Sequence, residues 1–158
     1  MAMARRNTPD NTAWLALDHQ LCFALYSASL AMTKLYKPLL EPLALTYPQY
    51  LVMLVLWEGD GVTVSQLGER LGLDSGTLTP LLKRLEAAAL VQRLRDTADE
   101  RRVLLRLTAA GRALKARAVA VPPAIASASG CSLSELSELT SRLQALRRRL
   151  SDSTPRAA

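Results

Sequence analysis

Histidine and cysteine are nearly absent from this 158-residue chain: His19 is the only histidine, and Cys22 and Cys131 are the only cysteines. No four-ligand set for a structural zinc can be assembled from them. Apolar runs of membrane-spanning length are missing as well, each candidate being broken by a charge, a proline or a glycine. Residues Met1 to Asp10 hold no apolar block of the kind that a secretory signal carries. These absences point to a cytoplasmic chain that needs neither metal, cofactor nor membrane. In a reducing compartment two cysteines make a poor structural staple, so each is either an inert small hydrophobe or a participant in a transient redox event.

Hydrophobic residues make up 49% of the chain, enough for the core of one domain with additional arms. The formal charge of +6 is unevenly placed. Between Lys83 and Arg117 stand ten basic residues and four acids, whereas the rest of the chain has ten of each. The whole positive excess therefore lies in one central stretch, as expected of a surface that meets phosphates.

The first predicted helix is capped by Asn11 or Thr12 and runs to Lys37, stopping at Pro38. Residues 1 to 11, with Arg5 and Arg6, read as a polar fray. The helix carries an apolar stripe of Trp14, Leu17, Leu21, Leu25, Ala28, Met32 and Leu35. Cys22 lies one position off that stripe, beside Tyr26, Ser29 and Thr33, where a thiol is packed yet reachable by a small molecule. A short helix at Leu39 to Leu45, broken by Pro42, leads into another from Thr46 through Trp57, and Glu58 to Gly61 read as a turn.

Thr63 and Gln66 form a capping box at the start of a two-turn helix ending near Gly72. The following helix places Leu78, Leu81, Leu82 and Leu85 on one face and Thr77, Thr79, Lys83 and Arg84 on the other. Its start is ambiguous: Ser75 caps it with Pro80 inside, or Thr79 caps a shorter helix with Pro80 at its first position. Two helices across a tight turn, the second apolar inward and basic or hydroxylic outward, are the helix-turn-helix arrangement that reads a DNA major groove. Ser75, Thr77, Thr79 and Lys83 or Arg84 are the expected base and phosphate contacts. Val91 to Arg95 and Val103 to Leu107 read as strands around a charged tip, and in that tip Asp99 and Arg101 complete the DNA-binding set, with Arg101 reaching the minor groove.

Thr108 caps the next helix, expected to end near Val121 before Pro122 and Pro123, after which Ala124 to Gly130 read as small and loose. Ser132 and Glu135 form another capping box, opening a helix with leucines at 133, 136, 139, 143, 146 and 150. Such a seam needs covering, and a two-fold homodimer through residues 12–37 and 109–151 covers it most simply. Arg147 to Arg149 are expected to serve that helix's C-terminal dipole. The fold class is thus mainly α with a small β-hairpin wing: one domain over 1–158, a winged helix-turn-helix over 47–107, and helical arms for dimerisation.

The run Asp74-Ser-Gly-Thr-Leu-Thr-Pro-Leu-Leu-Lys-Arg-Leu-Glu86, the wing Asp99-Glu-Arg101 leading into Leu107-Thr-Ala-Ala-Gly111, and Cys22 together resemble the OhrR group of MarR-family repressors, from about Asp18 to Leu150. The winged-helix signature is shared across the family, and the cysteine with two tyrosines is the sharper part. The resemblance implies that hydroxyls of Tyr36 and Tyr47 hold the Cys22 thiolate, that organic hydroperoxides oxidise it, and that Cys131 resolves the product as an intersubunit disulfide. The physical reason fits, since a hydroxyl donating to a thiolate favours the charged, attacking form. The implied outcome is loss of operator DNA. A disulfide needs α-carbons within roughly 7 Å, so a longer separation forces the arms to move and re-spaces two recognition helices that must match half-sites about 34 Å apart.

Free cysteine is among the most buried residue types, so a lone helical thiol usually signifies packing; Tyr36, Tyr47 and Cys131 weigh against that here. Two rivals remain at this level. One is a MarR-type repressor answering a non-redox ligand between arms and reader. The other is a thiol peroxidase, in which the basic wing has no part.

Overall fold

Short polar side chains at five positions, Thr46, Thr63, Asp74, Thr108 and Ser132, decide where five of the helices after residue 45 begin. The computed structural model describes residues 11–153; the expectation for Arg5 and Arg6 lies outside them. The chain divides into two compact units, one ending at Leu35 and one starting at Tyr36.

In the first unit, 3-10 turns at Asn11–Leu15 and Leu17–His19 precede helix α1 (Leu21–Leu40). The expected continuous helix from residue 12 is therefore corrected. Ala16 and Gln20 take extended backbone angles, and these interrupt the helical hydrogen bonding before Leu21. Trp14, Leu17, Leu21 and Met32 of the apolar stripe are exposed, and none of the residues Leu17–His19 is buried.

The helix also does not stop at Pro38. Proline removes only its own N–H near the end of a helix, and the turn continues to Leu40, which is 1% exposed in the core of the second unit. The short helix expected at Leu39 to Leu45 reduces to a 3-10 turn, Glu41–Leu43, closed by Ala44 in the left-handed region.

Helix α2 (Tyr47–Glu58) starts from a capping box: the Gln49 amide donates to the Thr46 hydroxyl, and the Thr46 amide to the Gln49 side chain. The two-residue strand β1 (Val62–Thr63), too short to show an alternating pattern, was absent from the sequence expectation. Helices α3 (Val64–Leu71) and α4 (Ser75–Ala87) follow, then strands β2 (Val91–Arg95) and β3 (Val103–Leu107) at their expected bounds. The antiparallel sheet has the order β1-β3-β2, with Val62 opposite Leu105 and Arg95 opposite Val103. Asp60 ties its edge, one carboxylate oxygen accepting from both the Gly61 and Leu107 amides at 2.9 Å.

Met53, Leu56, Leu67, Leu78, Leu82, Leu85, Val91 and Leu105 fill the core. Each of these contributes about 1.5–3 kcal/mol by leaving water. Thr108 caps α5 (Ala109–Ala118), which packs on α2 and β3. A further helix, α6 (Val121–Ser129), corrects both the expected end of α5 and the loose segment at Ala124 to Gly130. Pro122 falls in the first turn of α6, where its missing N–H has no partner to lose, so it opens a helix rather than closing one. Helix α7 (Leu133–Ser153) starts at the Ser132–Glu135 capping box and exposes Leu139, Leu143 and Leu150. Among the described residues no single helix is long and apolar enough to cross a membrane.

Candidate nucleic-acid interface and thiol site

The reader depends on a position inside α3 that only glycine permits. A Cβ on Gly68 would lie 2.8 Å from the Leu73 carbonyl oxygen, so the two helices of the motif close together because this position has no side chain. Helix α4 is then capped by Asp74, whose carboxylate accepts from the Thr77 amide at 2.7 Å. Hydrogen bonds from the Thr77 backbone and side chain hold the Asp74 carboxyl below its ordinary range. Neither cap weighed from the sequence is the one used, and Pro80 lies inside the helix.

Leu78, Leu81, Leu82 and Leu85 are buried, leaving Ser75, Thr77, Thr79, Lys83 and Arg84 all exposed. The Thr79 hydroxyl donates to the Ser75 carbonyl at 2.7 Å, so towards a base edge it acts as an acceptor.

In the wing, the Asp99 carboxylate accepts from the Arg101 amide at 3.0 Å, and the Arg102 amide donates to the Asp99 carbonyl at 2.9 Å. Asp99 thereby shapes the turn that presents Arg101 to solvent. An acid there is better suited to placing a cation than to meeting a phosphate itself. The wing is bound to the recognition helix by an ion pair that the sequence reading missed, Arg93 with Glu86 at 2.8 Å, and this pair holds the Glu86 carboxyl below its usual range.

The basic excess is thus not uniformly available. Arg93, Arg102 and Arg112 face Glu86, Asp96 and Asp60. Lys115 and Arg117 donate to the Trp57 and Pro42 carbonyls. Lys83, Arg84, Arg95, Arg101 and Arg106 have no carboxylate partner among the described residues, and all are exposed.

Tyr36 and Tyr47 are brought together in the second unit, their rings 4.7 Å apart. Tyr50 joins them, 5.8 Å from Tyr36 and 6.4 Å from Trp57. Burial, and then repulsion from Tyr47 and Tyr50, push the Tyr36 hydroxyl up to about 12. Burial also raises Tyr47 and Tyr50. All three phenols therefore keep their protons near neutral pH, as donors must. Tyr50 went unremarked in the sequence although its spacing of three from Tyr47 puts both on one side of α2, a signal that was available.

Cys22 and Cys131 are both free thiols, the first exposed and the second half-buried. The Cys131 Sγ donates to the Ser129 carbonyl at 3.7 Å, and its amide to the Ser129 hydroxyl at 3.3 Å. His19 is exposed, its ring nitrogen 2.8 Å from the Ala13 carbonyl. Arg147 does not serve its own helix terminus: it donates to the Arg70 carbonyl at the end of α3, at 3.5 Å. Among the described residues no cluster of His, Cys, Asp and Glu could hold a metal ion.

Comparison with known proteins gives a consistent pattern. A family model described as transcriptional regulator SarA/Rot matches residues 34–118. The organic hydroperoxide resistance transcriptional regulator of Bacillus subtilis (strain 168) is 52% identical over 132 residues, covering 84% of this chain and 90% of that protein. Among solved structures, reduced AbfR bound to DNA has a TM-score of 0.72 at 35% identity, over 89% of this chain and 97% of that one. The disulfide-formed AbfR scores 0.60 at 38% identity, over 86% and 96%.

Proposed function

The chain belongs to the MarR family of winged-helix transcriptional regulators, in its OhrR-like branch, and from this DNA-binding role we propose a repressor that organic hydroperoxides switch off through Cys22. The observation that carries the reading is the pairing of Tyr36 with Tyr47, two protonated phenols suited to donate to one thiolate.

The chemistry balances in two steps. The Cys22 thiolate attacks the distal oxygen of the hydroperoxide, the O–O bond breaks, and an alkoxide leaves, to be protonated to the alcohol. Cys22 is thereby oxidised to a sulfenic acid. The Cys131 thiol of a second copy then displaces hydroxide from that sulfur, forming a disulfide and water. A cellular dithiol restores both thiols. The active form is a homodimer on double-stranded operator DNA. The exposed stripe Trp14, Leu17, Leu21 and the exposed α7 leucines supply apolar surface for its interface. Ser75, Thr77, Thr79, Lys83 and Arg84 read the major groove, and Arg101, set by Asp99, enters the minor groove.

The test is non-reducing electrophoresis beside a DNA shift after stoichiometric cumene hydroperoxide. A covalent dimer appears as DNA is released, and dithiothreitol reverses both. Release without any cross-link, with Cys131→Ser behaving like the parent, overturns the resolving role.

A further inference from the structure

Arg147 stands on α7, which ends at Ser153, and lies before the last turn, where a cation would serve that helix's own carbonyls. Its guanidinium goes elsewhere. It donates to the Arg70 carbonyl at 3.5 Å, among the carbonyls that α3 leaves without a helical partner at its C-terminus. It also lies against Gly72, where a Cβ would meet an Arg147 guanidinium nitrogen at 3.1 Å and Cζ at 3.8 Å. Gly72, at φ 67°, is the left-handed residue that ends α3. Glycine there turns the chain and leaves a bare backbone on which the guanidinium rests.

That turn sets the recognition helix, since a single residue, Leu73, separates Gly72 from Asp74, the cap of α4. The hold of α3 on its surroundings is slight: it has eight residues and buries Leu67 and Gly68. The Leu73 amide closes the turn on the Gly68 carbonyl at 3.0 Å. Arg70 is the fixed point of the last turn, its side chain paired with Glu58 of α2 and its carbonyl held by Arg147 of α7. No carboxylate of the described residues pairs with Arg147, although Asp152 borders the same shallow recess. Arg148, one position on, is exposed and carries the same charge.

We propose that Arg147 is a positioning residue for DNA recognition: it fixes α7 to the turn of the helix-turn-helix, and so sets the angle at which α4 enters the major groove without touching DNA itself. Hydrogen bonds to base edges weaken steeply when donor and acceptor are misaligned, whereas attraction to phosphates is indifferent to sequence. Loss of Arg147 therefore costs discrimination rather than overall grip.

The experiment uses the full chain with Cys22→Ser, so that thiol oxidation plays no part and failure of the redox reading leaves the result untouched. The probes are a duplex that this protein selects from a random pool and a scrambled duplex of the same composition, followed by fluorescence anisotropy across a salt series. Arg147→Ala binds the selected duplex about tenfold more weakly, about threefold for each subunit of a dimer, with the scrambled duplex and the salt slope unchanged. Arg147→Lys, which can still donate to the Arg70 carbonyl, restores most of the loss, and Arg148→Ala causes none. Amide exchange at Leu73 is about threefold faster in Arg147→Ala, while amides of the core helices keep their rates. An unchanged ratio of selected to scrambled affinity overturns the proposal. So does a weakening of both duplexes with a shallower slope, which makes Arg147 a phosphate contact, or with an unchanged slope, which makes it a general support of the fold. Unaltered exchange at Leu73 overturns it as well.

Discussion

Arg101 offers a direct way to weigh the electrostatics of the reader. Five cations of the basic stretch, Lys83, Arg84, Arg95, Arg101 and Arg106, have no carboxylate partner among the described residues, while the others are engaged with acids or carbonyls. If each neutralises one phosphate charge, those lying in a groove included, a dimer neutralises about ten, and the plot of log affinity against log salt slopes at about −9. Arg101→Ala removes two contacts per dimer and makes the slope shallower by about 1.8, which at 0.1 M salt is a loss of roughly 60-fold. Arg112→Gln is the comparison, because Arg112 faces Asp60 and donates to the Leu107 carbonyl. That variant leaves the slope unchanged. The assay is fluorescence anisotropy of an operator duplex across a salt series. An unaltered slope in Arg101→Ala, or an equal change in Arg112→Gln, refutes the assignment of free and committed cations.

Other outcomes follow from the same contacts. Tyr36→Phe removes one donor from the tyrosine pair, and the rate of Cys22 oxidation by cumene hydroperoxide at neutral pH falls about tenfold, the loss of one hydrogen bond to a charged group, with DNA binding of the reduced protein intact; stopped-flow thiol loss measures it. Gly111→Ala puts a Cβ 2.1 Å from the Leu90 carbonyl oxygen and disturbs the carbonyl that Trp57 Nε1 donates to, so urea denaturation shows a loss of at least about 2 kcal/mol. Asp74, Glu86 and Glu135 are each held below the ordinary carboxylate range by hydrogen bonds from Thr77, Arg93 and Ser132. Their contribution is present above the unfolded-state values and lost as pH falls through the folded ones. Stability therefore declines as the pH falls through and below the ordinary carboxylate range, and a variant with all three neutralised to amides shows a flatter profile.

The reader was legible in the sequence because its signals are local. Thr63 with Gln66 and Thr108 each mark a helix start through bonds made within three residues, and the strands of the wing alternate around a charged tip. What stayed hidden depends on distant contacts. Pro38 reads as a stop, yet burial of Leu40 draws the turn onward. Pro122 reads as a terminator until the chain beyond it is seen to be helical. Tyr36 and Tyr47 were identified from resemblance, and their adjacency within the second unit is a tertiary fact. Tyr50, the Glu86–Arg93 pair and the commitment of half the cations emerged only with the fold.

The central claim is that oxidation of one sulfur sets the affinity for DNA. It is tested most directly by measuring operator affinity and the mass of the Cys22 peptide in the same samples as cumene hydroperoxide is added in substoichiometric steps. Affinity falls in proportion to modified Cys22 and does not fall in Cys22→Ser. Full modification of Cys22 with DNA still bound contradicts the claim, as does release from the serine variant.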